Sequence, residues 1–378
     1  MAEEKYAVIV DAVRSPIGAK NGKMIGMRAD ELSAQVVKAL LKRNPGLPPE
    51  KIEDVVLGCA FPEGSQGMLM ARGVSILAGL PIETSAKVVN RFCGSSMDSV
   101  HQINQAILAG DIECGLAVGT EDMFSVPMGG YNPSFHPELA KKNFYMGMGE
   151  TAENLANELK IPREEQEEFS VASHKKALKA IVEGKFKNEI VPVEFNGVTI
   201  DTDEGPREPN IEKIKSLKPV FLKDGSITAA TSSPITMGAA AVLVMSNTLA
   251  KKLNLKPRAR IISRAVAGVE WELMGKGPIP ASEKALKKAG MSIKDMDFIE
   301  LNEAFAAQSL YVIKKTGWPM EKINLHGGAI ALGHPLGCSG ARILTTLLNV
   351  MEQNNGKYGL ATMCIGTGQG IATVIERM

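Results

Sequence analysis

The chain repeats itself, and the repeat limits the folds open to it. "CGLAVGTEDM" holds Gly115, Leu116 and Ala117, and "YGLATMCIG" holds the same triplet at 359–361, an offset of 359 − 115 = 244. The same offset carries Ala60 and Phe61 of "VVLGCAF" onto Ala304 and Phe305 of "IELNEAF", and "CGSS" (93–96) onto "GCSG" (337–340). Three anchors in order at one offset point to a duplicated unit. In each copy a glycine-bearing turn opens a helix with an apolar stripe. Met97, Val100, Ile103, Ile107 and Leu108 form the first stripe, and Ile343, Leu344, Leu347 and Met351 the second.

Each copy reads strand, helix, strand, helix, strand, which implies two α/β layers packed as mirror partners. The runs "YAVIVDAV", "DVVLG" and "AKVVN" suit strands buried on both faces. "RARIISRAV" is the expected counterpart of the first strand, at a different offset. Three segments follow: an N-terminal half over 1–120, an inserted loop domain over 121–256 with a return segment to the core, and a C-terminal half over 257–378. The insertion contains a Met-, Gly- and Pro-rich stretch without a sustained period, then a charged helix from Pro162 to Gly184.

Composition narrows the function classes. With 43 basic and 42 acidic side chains, the net charge of +1 leaves no broad footprint for nucleic acid. Five cysteines, an odd number over 378 residues, argue against a disulfide framework. No His/Cys cluster has metal-ligand spacing. "MAEEKYAVIV" lacks the pattern of a secretory signal, and no apolar run reaches the roughly 18 residues of a membrane span, so a cytoplasmic location is expected.

Chemistry concentrates in three stretches. Cys93, in "VVNRFCGSSM", stands where a strand meets a helix, and the helix N-terminus favours a thiolate there. The position suits a buried small hydrophobe equally well. Cys364, in "ATMCIGTGQG", precedes Gly366, Gly368 and Gly370, whose spacing lets backbone approach something closely. Taken alone, that stretch favours a structural thiol. "GTGQG" precedes a strand, which rejects a dinucleotide loop. His334, in "GGAIALGHPLGCSG", is held between Gly333 and Pro335 and is a general-base candidate. His326 lies in the same region and stays open; His101, His136 and His174 suit surface roles. Cys59, Cys114 and Cys338 are taken as packing residues. Asn302 and Glu303 follow a strand, where an N-cap and an acidic first turn are expected. Alternatively, Asn302 orients a water or donates to an oxyanion.

Together these stretches, with "DAVRSPIG" (11–18), "GETAENLA" (149–156) and "LNEAFAAQ" (301–308), resemble the thiolase family over essentially the whole chain. The C-terminal third looks most like the bacterial 3-ketoacyl-CoA thiolases of fatty-acid β-oxidation. The resemblance implies a duplicated αβαβα layered core, with a loop domain inserted into the first half. It implies that Cys93 carries the acyl group, that His334 activates Cys93 and then coenzyme A, and that Cys364 is the acid/base at the α-carbon. His334 with a water held by Asn302 would serve one oxyanion, and the amides of Cys93 and Gly366 the other. Ser233 matches a serine that contacts pantetheine. Lys218 replaces an arginine near the nucleotide end of coenzyme A. Met148, with Met123, Met128 and Met146 in the covering loop, is a candidate acyl-CoA contact. Coenzyme A is then a co-substrate, and no tightly bound cofactor is implied. The assembly implied is a homodimer or homotetramer, in some relatives joined by a hydratase/dehydrogenase subunit.

Some residues depart from the family pattern. His326 stands in place of asparagine, Met237 in place of an acid, and Gly147 in place of a histidine found in short-chain, biosynthetic members. Gly147 therefore argues for 3-ketoacyl-CoA thiolysis over the alternative, condensation of two acetyl-CoA molecules. A decarboxylating ketoacyl synthase would carry a second histidine in the role of Cys364. A non-catalytic acyl-CoA carrier would not need all three reactive residues.

Overall fold

A computed structural model describes residues 4–378. In chain order the first half runs β1 (Ala7–Arg14), α1 (Ala29–Arg43), β2 (Asp54–Gly58), α2 (Met70–Leu77), β3 (Ser85–Val89), α3 (Ser95–Ala109) and β4 (Cys114–Asp122). An excursion follows with α4 (Pro137–Lys141), α5 (Met148–Glu158), α6 (Arg163–Val182), β5 (Val193–Phe195), β6 (Val198–Ile200) and α7 (Ile211–Ser216). The chain returns to the core through β7 (Met237–Ser246) and α8 (Asn247–Lys252). The second half is β8 (Ala259–Gly268), α9 (Pro278–Ala289), β9 (Phe298–Leu301), α10 (Ala306–Thr316), α11 (Ala329–Leu332), α12 (Leu336–Gln353), β10 (Tyr358–Ile365) and β11 (Gln369–Arg377).

Nine strands lie in the order β3-β2-β4-β7-β1-β8-β11-β10-β9, and the duplication is written in their register. In the first half Asp54 of β2 faces Gly115 of β4 in a parallel pair, and in the second Phe298 of β9 faces Gly359 of β10, also parallel. Both residues of the pair have moved by 244. Next to these, β4–β7 and β10–β11 are antiparallel, as are β7–β1 and β11–β8. The two halves meet where β1 and β8 pair at Val8–Arg260 and Ile9–Ala259. Ile9 faces Val244, which faces Gly115, while Ile261 faces Ile375, which faces Gly359. The first strands are therefore offset by 261 − 9 = 252, the non-uniform repeat that the sequence suggested.

The helices bury their stripes in layers. α3 and α12 share one core with residues from β1, β4, β7, β8, β10 and β11, so they lie between the two halves of the sheet. α1 and α2 cover the outer face of the first half, and α9 and α10 that of the second. The result is an α/β/α/β/α stack. Leu108 leaves the expected stripe, because it sits one residue past the buried Ile107 and is 48% exposed. "AKVVN" is not buried on both faces, since β3 forms the open edge of the sheet.

One buried ion cluster fastens the excursion to the core. Arg14, at the end of β1, donates to Glu189 and to Asp203, each at 2.7 Å, with all three side chains buried. Removing one member of such a cluster strands the others in low dielectric, at a cost of about 3–5 kcal/mol. Among the described residues no helix is long and apolar enough to cross a membrane.

Candidate active site

The turn before α3 holds Cys93 under tight local control. Phe92 takes φ +42°, an uncommon conformation for a residue with a side chain. Asn90 Oδ1 accepts the Phe92 N–H at 2.9 Å. Ser95 Oγ accepts the Arg91 N–H at 2.9 Å and donates to the Phe92 carbonyl at 2.6 Å. The thiol that results is 9% exposed, whereas the other four cysteines are completely buried. Burial pushes its pKa up to about 12, although the N–H groups of Gly366 and of Cys93 itself pull it down. The helix end therefore does not yield a resting thiolate; desolvation outweighs it.

Cys364 arrives beside it on β10. It lies among Ala152, Ile227, Met274, Phe305 and Ala307, with Met148 against the same cluster. Burial and then the neighbouring Cys93 both push its pKa up, so the two thiols feel each other. The glycines after it divide by role. A Cβ on Gly370 would sit 1.9 Å from the Gly277 carbonyl, and one on Gly368 2.4 Å from the Val269 carbonyl. Those two admit another backbone, not a substrate. Gly366 alone faces the site, where a Cβ would lie 3.4 Å from Met148 Sδ.

His334 comes from the loop between α11 and α12. Gly333, at φ +112°, turns the chain where a Cβ would strike Ile17 at 2.6 Å. The His334 N–H donates to Thr236 Oγ1 at 3.0 Å, its Nδ1 lies 2.5 Å from Ser339 Oγ, and its Nε2 lies 3.3 Å from Asn302 Nδ2. Burial, then the buried Arg342, lower its pKa to about 3, so the ring rests neutral. Asn302 is not a helix cap, because α10 begins only at Ala306, after Phe305. Its Oδ1 is buried with no hydrogen-bond partner. Glu303 is not a first-turn acid either: it accepts from Ser173 Oγ, Asn324 Nδ2 and the Ile330 N–H.

The starts of α3 and α12 are bonded together. Ser96 Oγ donates to the Cys338 carbonyl at 3.1 Å and accepts the Ala341 N–H at 2.8 Å. This joins the helix that follows Cys93 to the helix behind His334. Sequence reasoning missed a second tie. Glu121, fully buried, accepts N–H groups from Ala60 at 2.7 Å, Phe61 at 3.2 Å and Gly337 at 2.8 Å, and the Gln66 amide at 3.0 Å. An acid at the end of an otherwise apolar strand was the available signal.

The other candidates spread out. Ser233 is half-buried, with its N–H donating to the Ala304 carbonyl at 3.0 Å, beside the wall that Phe305 forms. Lys218 stands exposed in the segment after α7. A Cβ on Gly147 would meet only Glu150 Oε1, at 3.7 Å, so space is open there. His326 packs edge-on to Phe186 and is held low, at about 4, by burial and Lys185; its neighbours lie in the segment after α6, not at the thiols. His101 and His174 are buried rather than superficial: His101 Nε2 lies 2.8 Å from Thr373 Oγ1, and His174 Nδ1 accepts the Arg207 N–H. Exposed His136 caps α4. Cys59 does more than pack, since its thiol donates to Glu121 at 3.6 Å.

Comparison with known proteins gives a consistent result. The thiolase N-terminal domain family matches residues 7–248, and the thiolase C-terminal domain family residues 255–377. The chain is 51% identical to a 3-ketoacyl-CoA thiolase of Vibrio vulnificus strain YJ016, over 99% of this chain and all of that one. It is 50% identical to a 3-ketoacyl-CoA thiolase of Idiomarina loihiensis, again over 99% of this chain and all of the relative. Among solved structures, the Bacillus anthracis acetyl-CoA acetyltransferase matches with a TM-score of 0.91 and 37% identity, over 99% of both chains.

Proposed function

The chain belongs to the thiolase family, and from that premise we propose that it cleaves 3-ketoacyl-CoA with coenzyme A, through an acyl group carried on Cys93. The products are acetyl-CoA and an acyl-CoA shortened by two carbons. Both curated relatives named above are 3-ketoacyl-CoA thiolases, which favours this direction over condensation of acetyl-CoA.

His334 Nε2 takes the Cys93 proton as Sγ attacks the ketone carbon. Thiol and imidazole both rest neutral, so the proton moves with bond formation and not before it. The N–H groups of Cys93 and Gly366 receive the oxyanion. The bond between the α-carbon and the ketone carbon breaks and leaves the enolate of acetyl-CoA. Its oxygen is met by His334 and by a water on Asn302, and Cys364 gives its proton to the α-carbon. The proton on His334 returns to Cys364 and leaves the imidazole free. It then takes the thiol proton of coenzyme A, whose sulfur attacks the acyl thioester, and hands that proton back to Cys93 as it departs. Ser233, Met148 and Lys218 are assigned to the acyl-CoA, along the pantetheine arm, the acyl end and the phosphates respectively.

We rest this on one observation: a partly accessible thiol, with the Gly366 N–H turned onto its sulfur and a second thiol alongside. Thiolysis of acetoacetyl-CoA and of a medium- to long-chain 3-ketoacyl-CoA series, followed spectrophotometrically, tests it. Turnover across the series is expected; turnover of the four-carbon substrate alone would favour the condensing reading. The same proposal places the protein in the cytoplasm as a homodimer or homotetramer. The open edge at β3 and the exposed Met68, Leu69 and Ile82 are in keeping with a partner there.

A further inference from the structure

We infer that Ser339 is a positioning residue that fixes the tautomer of His334, placing the proton on Nδ1 and leaving Nε2 bare. This rests on the reading of His334 as the base. Ser339 lies in the first turn of α12, and its Oγ is 2.9 Å from the Pro335 carbonyl and 2.5 Å from His334 Nδ1. A serine hydroxyl has one proton to donate, so only two arrangements are open to it.

In the first, Nδ1–H donates to Ser339 Oγ, the hydroxyl donates to the Pro335 carbonyl, and the Asn302 amide N–H donates to Nε2. Three hydrogen bonds form, at 2.5, 2.9 and 3.3 Å. In the second, the hydroxyl turns to Nδ1 and abandons Pro335. Nε2 then bears the proton, and the Asn302 amide must rotate to present its oxygen. That arrangement forms two. All three side chains are buried, so a forfeited bond is costly. The first arrangement wins, and it also leaves Asn302 Oδ1 free to accept from a donor in the site.

The duplicated helix supplies an independent observation. Ser339 lies 339 − 95 = 244 residues after Ser95, the offset of the whole repeat. Ser95 uses its hydroxyl in the same double way, accepting the Arg91 N–H and donating to the Phe92 carbonyl. One helix-opening serine locks the turn of the thiol, and its counterpart locks the imidazole. Serine also suits the charge of the region. A carboxylate at this place would stabilise an imidazolium, whereas a hydroxyl orients the ring and leaves it neutral beside the buried cation of Arg342.

The test uses full-length protein with 15N-labelled histidine, in which His334→Gln identifies one signal among five. The wild type should show His334 protonated at Nδ1 and bare at Nε2. Ser339→Ala should shift that pattern toward Nε2–H and slow acetylation of Cys93 by acetyl-CoA about tenfold, as expected for one neutral hydrogen bond, with KM little changed. Ser339→Thr, which keeps the hydroxyl, should restore the rate. A wild-type ring protonated at Nε2 overturns the inference, as does Ser339→Ala acetylating at the wild-type rate. If Ser339→Ala fails to fold, the wild-type spectrum decides alone. If His334→Gln acetylates at the wild-type rate, it is the base assignment that falls, whatever the tautomer.

Discussion

The two halves of the core share a plan and divide the chemistry. At the offset of 244, Cys93 corresponds to Gly337, His334 to Asn90, Cys364 to Thr120 and Asn302 to Gly58. Every proposed catalytic side chain thus has a silent counterpart. Asn90 spends its side chain on the Phe92 N–H and the Ala60 carbonyl, and the Thr120 hydroxyl on the Gly238 carbonyl. The duplication sets two helix N-termini against each other at close range. A Cβ on Gly340 would lie 2.4 Å from the Met97 nitrogen. Symmetry builds the meeting point; asymmetry in what each copy carries there makes a site that neither copy could form alone.

The largest break in that comparison is Cys93→Ala. No residue of the second half can take over the acyl group, since the equivalent position is Gly337. Thiolysis and acetylation by acetyl-CoA should both vanish, measured by turnover and by intact-protein mass. Stoichiometric iodoacetamide should label Cys93 first, because it is the one thiol with any exposure among five buried cysteines. Label found mainly at Cys59 or Cys114 would remove the assignment.

Cys364→Ala should separate the thiols by role. Loss of a general acid typically costs about 10²–10⁴-fold, so thiolysis and the exchange of solvent deuterium into the methyl group of acetyl-CoA should fall by that much. Acetylation of Cys93 moves no carbon-bound proton and should persist. Wild-type deuterium exchange in this variant would return Cys364 to a structural part.

A smaller effect contrasts the paired serines. Ser95→Ala removes one acceptor and one donor from the turn that presents Cys93, and stability should fall by about 1 kcal/mol in urea unfolding. Ser339→Ala should act on rate instead. If both variants lose only stability, the two serines are the same device and the imidazole does not depend on its own.

Much of this was legible in the sequence, for reasons that differ by residue. The repeat could be read because register is inherited: a strand pair copied as Asp54–Gly115 and Phe298–Gly359 keeps its spacing. Cys364 and His334 drew notice because glycine and proline punctuate them, and Cys93 because a strand meets a helix there, but only the family resemblance gave the two thiols chemical roles. What failed were inferences from local context. The helix end at Cys93 suggested a thiolate, but burial is a tertiary quantity and reverses the sign. Asn302 and Glu303 looked like a cap because they follow a strand, yet their partners, Ser173 on α6 and Asn324 and His334 on loops, lie far along the chain. Glu121 gave little sign of itself, since its donors come from residues 60, 61, 66 and 337.

The narrowest effect, confined to one class of substrate, concerns what the comparison leaves over, the excursion that only the first half carries. Gly147 stands just before α5, and its backbone, at φ −66° and ψ 146°, is one that any residue adopts. No left-handed turn demands a glycine there, and a Cβ would meet nothing nearer than Glu150 Oε1 at 3.7 Å. The missing side chain is therefore not a folding requirement but room beside Met148, whose sulfur faces Gly366. Gly147→His should fill that room and leave the fold intact. A poor fit of one or a few methylenes in an apolar pocket is worth about 1–3 kcal/mol, so kcat/KM for a long-chain 3-ketoacyl-CoA should drop by about tenfold or more. Acetoacetyl-CoA, with no chain to displace, should be turned over nearly as before. An equal loss on both substrates would mean that the new side chain disturbs the thiols themselves. No loss on either would mean that the acyl chain runs elsewhere, and Met148 would then be core to α5 and no part of the substrate's path.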